Sequence, residues 1–98
     1  MPDCKLYING QWLETVSGKI ADNINPATGK SLGKVHLAGP DEVAAAIQAA
    51  AAAFPAWSAT LPAQREAILL KAADHLEKNI GRYADWHIDE SGSAFMKA

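Results

Sequence analysis

The residues of this chain whose types could do chemistry are few and scattered. The single thiol, Cys4, has neither a predicted helix N-terminus nor a basic cluster beside it to favour the thiolate, so it reads as an inert thiol. Gly29-Lys30-Ser31 ends like a phosphate loop, but the first glycine of G-x-x-x-x-G-K-[ST] would fall on Ile24 and the segment leads into a strand instead of a helix. A turn accounts for it fully. Ser91-Gly92-Ser93 lacks the first glycine of a G-x-S-x-G nucleophile elbow and follows a helix. His75 and His87, with Asp74, Asp85, Asp89 and Glu90, are the right ligand types for a metal. Neither H-x-x-x-H nor H-E-x-x-H occurs, and the two histidines fall on different predicted helices, so these residues read as solvated polar faces. Trp57 and Trp86 fit anchors of a core or interface better than an aromatic binding surface. Spacing alone assigns no catalytic, cofactor-binding or metal-ligating residue.

The elements that must position these side chains divide the chain in two. Lys5–Ile8 and Gln11–Leu13 flank Asn9-Gly10, the pair that best tolerates the positive φ of a type I′ turn, so a hairpin is expected with Ile8 opposite Gln11, Tyr7 opposite Trp12 and Leu6 opposite Leu13. Both of its faces then carry large apolar side chains, and something should cover each. Ser17-Gly18 breaks the chain, Ile20 to Ile24 reads as a strand, and Asn25-Pro26-Ala27-Thr28-Gly29 closes it. Leu32 to Leu37 follows as a sheet-edge strand, with Gly33, Val35 and Leu37 on one face and Lys34 and His36 on the other.

From Gly39 the apolar period lengthens to that of a helix. Gly39 serves as N-cap and Pro40 as N1, with Asp41 and Glu42 in the first turn where the helix dipole favours acids. The first helix is expected over about 40–54, its stripe Val43, Ile47, Ala50, Ala51 and Phe54, ended or kinked by Pro55. A second is expected over about 62–78, with Leu69, Ala72, Ala73, Leu76 and Ile80 as its stripe. A third, over about 80–90, takes Asn79 as N-cap and stops at Ser91-Gly92. The fold class is therefore α+β, short strands over about 5–37 followed by three helices.

Composition bounds the partners. Nine Lys and Arg against eleven Asp and Glu give a net charge of −2, which offers no basic field for nucleic acid. No apolar stretch is long enough to span a bilayer, and Met1 to Lys5 lacks the basic start and apolar run of a signal peptide. One cysteine makes no intramolecular disulfide, and the expectation is a reducing, cytoplasmic setting. Much of the 49% apolar content is alanine, so the core should be thin.

Taken in order, Leu6-Tyr7-Ile8-Asn9-Gly10-Gln11-Trp12, Asn25-Pro26-Ala27-Thr28-Gly29-Lys30 with Gly33-Lys34-Val35, and Asp41-Glu42-Val43 through Ala50-Ala51 to Phe54-x-x-Trp57 resemble the amino-terminal end of an aldehyde dehydrogenase. Arg65-Glu66 with Ile68-Leu69-Leu70, then Ala72-Ala73-Asp74-x-Leu76-Glu77 and Glu90-Ser91-Gly92, continue the match, so that it covers nearly all of residues 5–98. The resemblance implies an NAD- or NADP-dependent parent enzyme converting an aldehyde to a carboxylic acid. In that chemistry a cysteine thiolate attacks the aldehyde, hydride passes to nicotinamide, and a glutamate-activated water releases the acid. It places the family's cysteine, glutamate, asparagine and glycine-bearing cofactor turn downstream of the matched residues, and Cys4 ahead of them. The chain is then the first part of the cofactor-binding domain of an α/β fold, inactive by itself and binding no cofactor, with the remainder of the parent chain as its partner and a homo-oligomer as its assembly. Some members hold a structural monovalent cation between the strand before the Asn-Pro turn and the end of the third helix, which points to Asn23 and Glu90. Glu90-Ser91-Gly92-Ser93 followed by Lys97-Ala98 is slightly closer to members acting on aromatic aldehydes. A competing expectation is a stand-alone interaction or oligomerisation module that pairs through its small-residue helices and two-faced hairpin.

Overall fold

A computed structural model describes residues 1–94. Four short strands precede three helices: β1 (Leu6–Ile8), β2 (Gln11–Leu13), β3 (Ile20–Ile24), β4 (Ser31–His36), α1 (Pro40–Ala59), α2 (Pro62–Lys78) and α3 (Ile80–Ser91). The strands form two separate antiparallel pairs, β1 with β2 and β3 with β4. The first pair has the expected register, Leu6 to Leu13, Tyr7 to Trp12 and Ile8 to Gln11. Asn9 and Gly10 turn it with φ of 52° and 75°, the left-handed conformations that a type I′ turn requires. Across the ribbon the Tyr7 and Trp12 rings lie 4.7 Å apart.

In the turn between β3 and β4, Asn25 Oδ1 accepts the N–H groups of Ala27 at 2.9 Å and Thr28 at 3.2 Å. This Asx turn explains why Asn precedes Pro here. The N-terminal residues add a short parallel edge to β4: the Cys4 N–H donates to Lys34 O at 2.8 Å, and the His36 N–H to Cys4 O at 2.9 Å. β4 departs from the expected alternation, because His36 is 9% exposed while Leu37 stays open to solvent. The reason lies in the chain after β2, which folds over the His36 side and covers it.

α1 starts as its sequence requires, with Gly39 as N-cap, Pro40 at N1, and Glu42 at N3 accepting the Gly39 N–H at 3.1 Å. It does not stop at Phe54, as the expected end at 54 required, but runs through Pro55 to Ala59. Proline removes one N–H and crowds the carbonyl four residues earlier, here that of Ala51 on an exposed surface where water can satisfy it. The helix then ends at Thr60, whose hydroxyl donates back to Ala56 O at 2.9 Å. α2 turns away from α1 by 118°. Asn79 lies between α2 and α3, yet its side chain donates backward to His75 O at 2.9 Å and does not cap α3, contrary to expectation. Gly92 closes α3 in the left-handed conformation, with φ of 68°.

Among the described residues no apolar side chain is buried. The radius of gyration is 16.9 Å, against about 13 Å for a compact domain of 100 residues, and the molecule measures 47 × 35 × 16 Å. α1 turns Ala46, Ala49, Ala50 and Ala53 toward Tyr7 and Ile8, leaving the expected packing residues Val43, Ile47 and Phe54 exposed.

Candidate functional site

Two places gather polar side chains from distant parts of the sequence. The first is a cleft of about 520 Å³ between the N-terminal residues, the hairpin and α3. Trp12, Tyr83 and Trp86 supply its aromatic walls and Asn23 and Glu90 its polar floor. Asn23 Nδ2 donates to Glu90 Oε1 at 2.8 Å, joining β3 to α3 across 67 residues. The two positions singled out for a cation are thus brought together. Close by, Pro26 stands against Gly92, where an added Cβ would lie 3.2 Å from Pro26 Cγ. Tyr83 and Trp86 meet edge to face at 5.6 Å, and the Arg82 guanidinium lies 5.4 Å and 5.3 Å from their ring centres.

The second is the junction between β2, β4 and α1. Glu42 accepts from Thr15 Oγ1 at 2.6 Å, Ser17 Oγ at 3.0 Å, the Val16 N–H at 3.2 Å and the Gly39 N–H at 3.1 Å. These donors, the Thr15 hydroxyl foremost, favour the charged form and hold the carboxyl down at about 2. Beside it the Thr15 N–H donates to His36 Nδ1 at 3.1 Å, which places the proton of the neutral ring on Nε2. Gly18 and Gly39 let the two chain segments touch: a Cβ on Gly18 would lie 1.7 Å from Leu37 O, and one on Gly39 2.3 Å from Ser17 Oγ. Every donor serves backbone placement, and no position near Glu42 is left for a reacting atom. A weaker pair on the sheet surface joins Lys34 to Asp22, lowering the aspartate and raising the lysine through their hydrogen bond.

The other residues examined from sequence are dispersed. Cys4 is exposed. In the Gly29-Lys30-Ser31 segment the Lys30 N–H donates to Thr28 Oγ1 at 3.3 Å and Ser31 Oγ to Asp22 at 3.3 Å, which is turn chemistry. His75 Nε2 lies 3.2 Å from the Tyr83 hydroxyl, whereas the backbone of His87 accepts from Ser91 Oγ at 2.6 Å. Among the described residues no three of His, Cys, Asp and Glu converge as a metal site. Ser91 Oγ lies 2.8 Å from Ser93 Oγ, with no histidine recorded as a partner of either. Lys97-Ala98, part of the tail compared with members acting on aromatic aldehydes, lies outside the described residues. Residue-by-residue reading missed the Glu42 junction. Its legible signal was Glu at N3 of a helix, the acceptor position of a capping box, together with the hydroxyls of Thr15 and Ser17.

The model of the aldehyde dehydrogenase family matches residues 12–98. The chain belongs to that family. Among aldehyde dehydrogenases it is 38% identical to the D-glyceraldehyde dehydrogenase (NADP(+)) of Thermoplasma acidophilum over 98% of this chain and 20% of the relative. The vanillin dehydrogenase of Corynebacterium glutamicum is 40% identical over 96% of this chain and 19% of its own. The crystal structure of an NAD-dependent benzaldehyde dehydrogenase from Corynebacterium glutamicum superposes with a TM-score of 0.90 at 40% identity, over 95% of this chain and 20% of that one. An aldehyde dehydrogenase from Bartonella henselae gives 0.91 at 27% identity, over 97% of this chain and 20% of that one. The chain spans about a fifth of the length of these relatives and corresponds to their amino-terminal part.

The described residues do not fit the dinucleotide that the aldehyde dehydrogenase family uses. A pyrophosphate seeks free N–H groups at a helix N-terminus. At α1 that place is taken by the Glu42 carboxylate, which would repel it. α2 begins at Leu61-Pro62, where Pro62 has no N–H to offer, and α3 follows Asn79, whose side chain bonds backward.

Proposed function

We propose that this chain is the opening scaffold of the cofactor-binding domain of an enzyme that oxidises an aldehyde to a carboxylic acid with NAD or NADP, and that it carries none of the reacting groups itself. One observation carries the reading: the backbone follows that of complete aldehyde dehydrogenases at a TM-score of 0.90, while no apolar side chain of the described residues is buried. A segment with the conformation of a complete enzyme and no core of its own has its packing partners elsewhere in the parent chain. The cleft and the Glu42 junction then fasten strands to helices instead of binding substrate. The parent enzyme is read as a cytoplasmic homo-oligomer.

The test is direct. Purified 98-residue chain, supplied with NAD or NADP and with benzaldehyde or glyceraldehyde, is expected to give no aldehyde-dependent absorbance at the wavelength of the reduced cofactor. Turnover that follows the chain through purification would overturn the proposal. Reading the gene beyond the codon for Ala98 separates it from an independent interaction module: a long frame carrying a glycine-bearing turn, a cysteine and a glutamate supports the scaffold, and a stop codon there supports the module.

A further inference from the structure

Resting on that reading, we infer that the exposed apolar faces of α1 and α2, with the hollow in the corner between them, are the docking surface for the remainder of a family-length chain. On α1, Val43, Ile47 and Phe54 stand at i, i+4 and i+11, within about 40° of one another around the helix axis. On α2, Leu69, Leu76 and the following Ile80 repeat the pattern. Ile47 and Leu69 are each 65% exposed. The corner hollow measures about 550 Å³ and is walled by Trp57, Leu69 and Leu70, with Arg65 and Glu66 both lining it. One cation and one anion leave it without net charge, so it suits a neutral apolar insert.

The occupant follows from the backbone. Two helices bent by 118° with no core in their angle have nothing of their own to fix that bend. The arrangement is nevertheless shared with solved chains about five times as long. A surface of this shape is therefore complementary to the other four-fifths of such a chain, covalently continuous with it, and a second copy of these residues is the competing occupant.

The experiment joins this chain to the Corynebacterium glutamicum benzaldehyde dehydrogenase in place of its matched fifth. In a Cys4→Ser background, Ile47→Cys and Leu69→Cys are compared with Gln48→Cys and Lys78→Cys, which sit on the exposed polar faces, by maleimide labelling read peptide by peptide. The apolar-face positions are expected to label at least about tenfold more slowly than the polar pair in the fused protein. Equal rates at all four positions would overturn the inference. So would protection that is absent from the fused protein but rises with the concentration of the 98-residue chain alone, which assigns the face to a second copy. Where a cysteine variant does not fold, the melting temperature replaces labelling: Ile47→Asp should lower it by about 10 °C or more and Gln48→Asp by less than about 2 °C, and equal shifts would again overturn the assignment. Aldehyde oxidation by the unsubstituted fusion tests the underlying reading separately. An active fusion with unprotected Ile47 and Leu69 positions refutes the surface alone, whereas a folded, inactive fusion refutes the reading.

Discussion

The strand region and the helical region are built on different physics. Residues 1–39 are fastened by directional bonds between sequence-distant groups: the parallel edge at Cys4, the Asx turn at Asn25, and four donors converging on Glu42. α1 and α2 satisfy their backbones internally and display Ile47, Phe54, Leu69 and Leu76 to solvent. Hydrogen bonds close locally and can be complete within a short segment. Burial needs a second surface, and the helices have none among the described residues. The strand region should therefore respond to changes in its own residues, and the helices mainly to what covers them.

The largest effect that would break this contrast is steric. Gly18→Ala puts a methyl group into Leu37 O and should cost about 3 kcal/mol, or separate the 15–18 segment from β4 altogether. Amide exchange at residues 15–20 and 34–39 is expected to accelerate together while α2 amides keep their rates; uniform acceleration would mean that the two regions share one cooperative unit. Next comes Glu42→Ala, which orphans four donors and should speed exchange at Val16 and Gly39 by an order of magnitude or more.

The same carboxylate gives a pH signature. Its value is about 2 in the folded chain against an ordinary 4.5, so its contribution is fully present above pH 4.5 and is lost as pH falls from there through 2. An acid titration of the Val16 and Gly39 amide shifts should show this midpoint in the native chain and lose it in Glu42→Gln; a midpoint near 4.5 would remove Glu42 from the junction. Gly10→Ala should be milder, about 1 kcal/mol, because φ of 75° is strained for any residue with a Cβ. Its effect should stay within β1 and β2, as read from the cross-strand shifts of Tyr7 and Trp12. Smallest is Lys34→Ala: it removes an exposed ion pair with Asp22, and thermal unfolding should be unchanged within error.

Local chemistry made much of this legible in advance. Asn9-Gly10 prescribes its turn and hence the pairing of Tyr7 with Trp12, since a two-residue loop leaves one register. Gly39-Pro40 and Gly92 mark helix ends through backbone conformations that few other residues accept as readily. Pro55 misled because its penalty depends on whether the crowded carbonyl can reach water, which is a matter of exposure. His36 misled for a related reason: alternation within β4 says which residues share a face, but not which face the Thr15–Gly18 segment will cover.

The sequence by itself determined the order of elements, the hairpin register and the helix starts, since each depends on a few adjacent residues and on backbone sterics. It also carried the family resemblance, through the order of its segments. Only the tertiary structure decided that Glu42 gathers Thr15, Val16, Ser17 and Gly39, that Asn23 meets Glu90, and that the α1 stripe finds no cover while the alanine face meets the hairpin. Such contacts join residues tens of positions apart, and their partners are chosen by how whole elements pack, which no local preference encodes.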